Sequence, residues 1–471
     1  MAIKIGLIGV GLNTYWAQFQ HLLERLQGYQ LEIENRLKSN NVEVVNTGIV
    51  DSNEKAIQAS NVLIKEKTDI LYVYISTYSL SSTILPIIKK INKPVILLNI
   101  QPTPSIDYDK INAMKDRGDM TGEWLANCQA CSIPEYACVM NKAGIRYDII
   151  TGYMDDPYVW NQIEQWTQAT TAVVGMHNKN VGILGHYYEG MLDVYSNLPL
   201  QSIVFQSHFK LLEMGELKKL RDNVTNDEIH EKVKEFENTF EVVSECEQSE
   251  LERAAKTSIA LDKLIAKHNL SSLAYYYEGL DDAEYQDIIT SVIAGNTLLT
   301  GKDIPVAGEC EVKNVQAMKI MSLLQAGGSF SEFYAMDFKD DVILLGHDGP
   351  AHFNIADGKV KLVPVPVYHG KPGKGLSIQM AVKQGPVTLL SIVEKENTLC
   401  LLCAEAEAVA GPTLHIGNTN SRYKFNCDIR TFIDNWSKAG PSHHCAIGIG
   451  HHAETIKKIA FILDIDYIRI C

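Results

Sequence analysis

The chain has 471 residues, 46% of them apolar and 21% charged, which is enough to bury more than one core and excludes wholesale disorder. Lys and Arg total 43 against 57 Asp and Glu, a formal charge of −14. A field of that sign, with no Lys/Arg-rich run to offset it, argues against nucleic acid or an anionic membrane as partner and is compatible with a neutral small molecule.

The opening MAIKIGLIGVG is too short and too rich in glycine for a signal peptide, and no apolar run reaches membrane-spanning length. The 10 cysteines lie mostly inside apolar stretches, which predicts reduced thiols and a cytoplasmic setting. Two CxxC pairs occur, Cys128/Cys131 and Cys400/Cys403. They are read as buried thiols rather than zinc ligands, because alternation along the strand-like NTLCLLCAEAE sends Cys400 and Cys403 to opposite faces.

From 1 to about 150 strand and helix alternate. IKIGLIGVG, VEVVNTG, DILYVYIS, PVILLNI and YDIITGY read as strands, with helices predicted over 16–39, 53–66, 80–91 and 119–142. Continuous apolar strands separated by helices indicate a parallel sheet covered on both faces. A second α/β unit begins near 172, with strands NVGILG, QSIVFQSHF, SLAYYYEGL and IPVAGEC. The charge-dense run 212–257 reads as two helices, DDAEYQDIITSVIAGNTLLTG as helical, and 311–325 as another helix. His186 and Glu189 follow NVGILG.

After about 327 the texture changes to short alternating runs, DVILLGHDG, GKVKLVPVPVY, LSIQMAVKQG, PVTLLSIVE and NTLCLLCAE, with no helix between them. Such spacing indicates an antiparallel sheet or barrel. A helix at 428–438, a glycine-rich HHCAIGIGHH, a helix through 453–464 and a strand DYIRI close the chain. The predicted fold is therefore α/β: two doubly wound parallel-sheet domains, 1–172 and 173–326, followed by a β-rich, barrel-like domain at 327–471.

The glycines of the first strand invite comparison with a dinucleotide-binding loop. The fingerprint requires a third glycine where Thr14 stands, and the acid after the second strand, Asp51, comes about twice as late as the pattern expects. A tight turn at a strand's carboxyl end explains the run instead. That turn faces the ligand crevice of an open sheet, which makes Asn13, Tyr15, Trp16 and Gln18 candidate substrate contacts.

The last third carries the chemistry: Glu309 in GECEVK, Glu332 in FSEFYAMD, His347 in LLGHDG and His443-His444 in AGPSHHC. Two carboxylates with two neutral imidazoles form a mixed O/N set suited to Mn²⁺ or another borderline divalent cation. Each residue also has a plainer reading. Glu309 complements a helix dipole, Glu332 is a solvated loop carboxylate, and His347 caps a turn. The pair His451-His452 cannot be ranked against His443-His444 on spacing alone.

Taken in order, GECEVKNVQAMKIMSLLQAGGSFSEFYAMDFKDDVILLGHDG, GPVTLLSI, GNTNSRYKF and AGPSHHC resemble the L-arabinose isomerases, relatives of L-fucose isomerase, over about 300–450. The likeness extends through VGILG and Gly190-Met191, adding Met191 to the substrate candidates. The resemblance implies a cytoplasmic metal-dependent sugar isomerase of three domains. It also implies a homo-oligomer, trimer or hexamer, whose sites are completed by a neighbouring subunit. Carried over residue by residue, it makes Glu309, Glu332, His347 and His444 the Mn²⁺ ligands and His443 the substrate-facing histidine. Glu309, Glu332 and His443 become the catalytic candidates, the carboxylates passing one proton between adjacent sugar carbons through an enediolate.

Two departures stand out. The family's N-terminal substrate segment is replaced here by GVGLNTYWAQF, and the acid two places after Glu309 is Glu311. The changed segment leaves the identity of the sugar open. A metal-dependent epimerase or hydro-lyase would use the same intermediate. A non-catalytic sugar-binding protein would differ in tolerating Glu309→Gln, and a nicotinamide oxidoreductase is disfavoured by Thr14.

Overall fold

The computed structural model describes residues 2–39, 41–278, 283–365 and 374–471, which divide into two compact units, Met1–Val174 and Gly175–Cys471. In the first unit, strands β1 (Ile3–Val10), β2 (Val42–Val50), β3 (Ile70–Ile75), β4 (Val95–Gln101) and β5 (Tyr147–Tyr153) form one sheet, ordered β2-β1-β3-β4-β5. Every pairing in it is parallel. Each strand that reads as an unbroken apolar run does so because helices cover both faces. Ile8 and Val73 pack with Leu63, Ile84 and Met140 in one core, while Leu22, Leu26 and Leu125 gather with Ile49 in another.

Local signals account for the helix limits. Ser52 caps Asn53–Glu66 by accepting from the Lys55 N–H at 3.3 Å. The helix expected over 16–39 is instead a short turn, Thr14–Gln18, and a helix Leu22–Leu37, parted by His21 at φ 66°. The one expected over 119–142 is two, Arg117–Leu125 and Ile133–Lys142, the second opening on Pro134, which is suited to a first turn. The glycines in and just after β1 serve close packing. A Cβ at Gly9 would lie 2.1 Å from Gln30 Oε1, and one at Gly11 would lie 2.9 Å from the Trp16 ring. Trp16 Nε1 and Lys55 Nζ each donate to Asp51 Oδ2 at 2.7 Å, so that acid is engaged within the fold.

The second unit begins with β6 (Asn180–Gly185), β7 (His208–Leu212), β8 (Glu241–Val242), β9 (Leu270–Tyr276) and β10 (Val306–Ala307). Four of these make a parallel sheet, β10-β9-β6-β7. The run QSIVFQSHF is not a strand: Leu198–Phe205 is helical, capped by Asn197 with Pro199 in its first turn, and the strand starts only at His208. The charge-dense region gives three helices rather than two, Met214–Asp222, Asn226–Thr239 and Gln248–His268, the middle one opened by a Thr225/Glu228 capping box. The tract expected as one helix after 280 is Ala283–Ile289 and Ile293–Gly301. Residues 279–282, the end of SLAYYYEGL and the start of that tract, and 366–373, which take in the end of GKVKLVPVPVY, lie outside the described residues.

The remaining strands are β11 (Gly327–Asp337), β12 (Val342–His347), β13 (Lys361–Val365), β14 (Gly375–Gln379), β15 (Gly385–Glu394), β16 (Leu399–Val409), β17 (Thr419–Phe425), β18 (His444–Ile449) and β19 (Asp466–Arg469). Six of them close into an antiparallel barrel in the order β15-β18-β11-β12-β17-β16, with β16 pairing back onto β15. Closure removes the free edges that an open sheet of this length would carry. β19 adds to β16 in parallel, and β8, β13 and β14 form a small side sheet.

The helix Val312–Leu323 is buried nearly throughout and packs on β11, β15 and β18. It lacks a solvent-exposed face because it has barrel on one side and the parallel sheet near the other. Pairing of β19 with β16 brings the chain end beside the start of helix Ile429–Lys438, where Cys427 and Cys471 form a disulfide. The bond corrects the expectation of reduced thiols for Cys427 and Cys471, which stand 44 residues apart and meet only once β19 has paired with β16. Among the described residues no helix is long and apolar enough to cross a membrane.

Candidate active site

Glu332 occupies the middle of β11, not a loop. Its cross-strand neighbours are His444, the first residue of β18, and Gly346, which precedes His347 at the end of β12. Three adjacent strands thus bring Glu332, His444 and His347 together at one end of the barrel. Gly346 permits this closeness: a Cβ there would lie 2.0 Å from the Thr419 carbonyl oxygen and 2.8 Å from Tyr334.

Glu309 approaches from the turn between β10 and the helix Val312–Leu323. Glu309 and Cys310 both take left-handed backbone conformations, φ 50° and 60°. Such conformations cost non-glycine residues on the order of 1–3 kcal/mol each and concentrate at functional sites. The turn is held by Cys310 N donating to the Tyr275 carbonyl at 3.0 Å and Glu311 N to that of Gly308 at 2.9 Å.

The side chains converge. His444 Nε2 lies 2.6 Å from Glu309 Oε2, yet neither atom has a partner in hydrogen-bonding geometry. Two buried donor atoms so placed are directed at a shared point rather than at each other. His443 Nε2 lies 3.8 Å from the same oxygen, and His347 Nε2 lies 3.8 Å from Glu309 Oε1. One ligand atom each from Glu309, His347 and His444 fall within 4.8 Å of one another, as do those of Glu332, His443 and His444. Phe330 lies beneath, its ring 4.4 Å from His347 and 4.3 Å from His444, and shields the imidazoles from solvent.

Electrostatics separates the two carboxylates. Burial pushes Glu309 upward, but His444 beside it, with His347 and His443 nearby, brings it down to about 2. Glu332 is raised, chiefly by burial and further by the charge of Glu309. For His444 burial acts to lower the pKa, but the Glu309 and Glu311 carboxylates beside its two ring nitrogens raise it to about 10.

Two residues that sequence reasoning missed complete the site. Glu311, noted only as an acid near Glu309, is fully buried and accepts from His444 Nδ1 at 2.6 Å and from the Ser442 hydroxyl. Asp193 lies in the loop after β6 and accepts from both the backbone N–H and the Nδ1 of His443, at 3.0 and 2.6 Å. Nothing near either residue in the chain signals these partners, which stand 133 and 250 residues away.

The other candidates fall elsewhere. His451 and His452 follow β18 at its opposite end, where His451 Nε2 is 3.4 Å from Glu407 and His452 Nε2 meets the Ile449 carbonyl at 2.9 Å. Only His443-His444 joins the cluster. His186 is exposed with Nδ1 2.8 Å from the Tyr187 carbonyl, Glu189 is exposed, and Met191 is half-buried in the same loop. Asn13, Tyr15, Trp16 and Gln18 belong to the first unit, in and before the turn Thr14–Gln18. There Asn13 and Gln18 are exposed, Tyr15 packs edge-on to Phe19 at 5.7 Å, and Trp16 holds Asp51.

Comparison with known proteins identifies two matching domain families. The L-arabinose isomerase N-terminal domain matches residues 19–178, and the L-arabinose isomerase C-terminal domain matches residues 327–466. The L-arabinose isomerase of Herpetosiphon aurantiacus is 22% identical over 424 residues, covering 85% of this chain and 80% of the relative. L-arabinose isomerase 1 of Bacillus licheniformis is 20% identical over 407 residues, with the same coverage of 85% and 80%. The L-arabinose isomerase of Klebsiella pneumoniae is 20% identical over 418 residues, covering 84% of this chain and 79% of the relative.

Proposed function

The chain belongs to the L-arabinose isomerase family and is a sugar isomerase, and from that premise we propose a divalent-metal-dependent aldose–ketose isomerase acting on a pentose, hexose or deoxy sugar. The observation that supports the reading is the pair of overlapping donor sets, Glu309/His347/His444 and Glu332/His443/His444, that meet at His444, with Glu309 Oε2 and His444 Nε2 left orphaned. Glu309, Glu332, His347 and His444 would hold the cation, with Mn²⁺ matching this O/N donor set. When bound, such an ion supplies Lewis-acid polarisation of a sugar carbonyl.

The chain's own groups handle the proton. Carboxylates with proton affinities pushed apart suit a base and an acid in one site. Glu309, the lowered member, takes the proton from the carbon beside the carbonyl, and Glu332, the raised member, gives its own to the former carbonyl carbon; the hydroxyl proton passes from one sugar oxygen to the other, and proton transfer from Glu309 back to Glu332 resets the pair. His443, with its Nε2 toward Glu309, orients and polarises a substrate hydroxyl. Phe330 covers the imidazoles of His347 and His444.

The same reading takes the chain as three domains, 1–172, 173–326 and 327–471, in a cytoplasmic homo-oligomer. It assigns Asn13, Tyr15, Trp16, Gln18 and Met191 to substrate contact. The test is to strip the protein with a chelator and assay a panel of pentoses, hexoses and 6-deoxy sugars with and without Mn²⁺. Ketose formation that depends on added cation is the expected result; no turnover on any sugar contradicts it.

A further inference from the structure

We infer that Asp193 is a positioning residue that fixes the tautomer and ring orientation of His443, an assignment that rests on the isomerase reading above for its catalytic meaning. A carboxylate oxygen can only accept, so the 2.6 Å contact to His443 places the ring proton on Nδ1. Nε2 then carries the lone pair and faces Glu309 Oε2 at 3.8 Å. The same Asp193 oxygen accepts the His443 backbone N–H at 3.0 Å, so main chain and ring are held by one atom.

Asp193 is itself held. Its carbonyl accepts from the ammonium of Lys313, a buried side chain in the first turn of the helix that follows Glu309. Val194 behind it is fully buried and donates its N–H to the Met191 carbonyl at 3.2 Å. The loop after β6 is thereby tied to the turn that carries Glu309 and to the strand that carries His444.

The arrangement repeats what Glu311 does next door. Adjacent imidazoles, with ring centroids 3.8 Å apart, each have a carboxylate on Nδ1 and each turn Nε2 toward Glu309 Oε2. The difference is exposure. The His444–Glu311 pair is sealed, whereas His443 and Asp193 are 37% and 40% exposed, which leaves the His443 ring open to a substrate. An orienting carboxylate of this kind sets which ring nitrogen acts on a ligand, and its loss in comparable sites costs roughly 10–100-fold.

The test uses the full-length, Mg²⁺-loaded protein with ¹⁵N-labelled histidine. Long-range ¹H–¹⁵N correlation spectra, with His443 assigned from its loss in His443→Gln, should show the Nδ1–H tautomer in the wild type and its loss in Asp193→Ala. An Nε2–H tautomer in the wild type, or an unchanged His443 signature in Asp193→Ala, overturns the inference. On any sugar that turns over, Asp193→Ala should lower kcat by about 10–100-fold with bound metal unchanged. Asp193→Glu should recover part of that loss. A fall in kcat that merely follows a fall in bound metal also overturns it. Absence of turnover in the wild type would sink the isomerase reading, while the spectra still decide the role of Asp193.

Discussion

The Glu311 carboxylate accepts the Nδ1–H of His444 at 2.6 Å, with both side chains fully buried. That contact fixes the imidazole with Nε2 toward Glu309 and leaves no freedom for the ring to turn away. A carboxylate behind a ligand histidine both selects the tautomer and raises ligand basicity. Glu311→Gln should therefore weaken Mn²⁺ binding by about 10–100-fold, measured by calorimetric titration of the metal-free protein. Unchanged affinity would remove Glu311 from the site.

The pH dependence of metal binding follows from the same histidine. Its folded pKa, about 10, lies above its ordinary 6.5, so the stability it contributes is complete below 6.5 and is lost as pH rises toward 10. Glu309, lowered from 4.5 to about 2, contributes stability present above 4.5 and lost as pH falls toward 2. The metal-free protein should thus gain most from this pair between 4.5 and 6.5. A cation must displace the His444 proton, so Mn²⁺ affinity should rise by up to about tenfold per pH unit from about pH 6 to about pH 8, with proton release. Calorimetry in buffers of different ionisation enthalpy measures that release; pH-independent binding would contradict it.

Glycine substitutions give a prediction of opposite signs. Gly346→Ala places a methyl 2.0 Å from the Thr419 carbonyl oxygen and should separate β12 from β17 beside His347. A loss of about 1–3 kcal/mol in unfolding free energy and most of the turnover is expected. Gly28→Ala lies within Leu22–Leu37 with nothing within 4 Å of the added methyl. There alanine should stabilise by about 0.5–1 kcal/mol through its helix propensity alone. Denaturant titration of both variants checks the pair.

Glu309→Gln distinguishes an enzyme from a binder. The carboxamide keeps the shape but supplies no negative charge to a cation and no base to a carbon acid. Turnover should fall below detection, assayed as ketose formed from whichever sugar the wild type converts. Activity within about tenfold of wild type would show that the proton is handled elsewhere.

The parts of this fold that could be read from the sequence are those where burial and periodicity agree. β3 and β4 are apolar on both faces because helices cover both, so their composition alone marks them. β11 is different. Its buried stretch carries Ser329 and Ser331 on one face and Phe330 with the half-buried Glu332 of the site on the other, rather than aliphatic residues, and the segment reads as a polar loop. The β-branched run near 203 suggested a strand, where the Asn197 cap and Pro199 favour a helix. Glu309, Glu332, His347 and His444 were legible through order and spacing shared with a family. Asp193 and Glu311 were not, since their partners lie far along the chain and meet them only after the barrel closes.

Diffraction from crystals soaked in Mn²⁺, collected to give the anomalous signal of the metal, tests the central claim most directly. A single peak bonded to Glu309, Glu332, His347 and His444, with Glu311 still on the far nitrogen of His444, is the expected result. Absence of a peak there, or a cation held by other groups while these side chains point apart, would contradict the account.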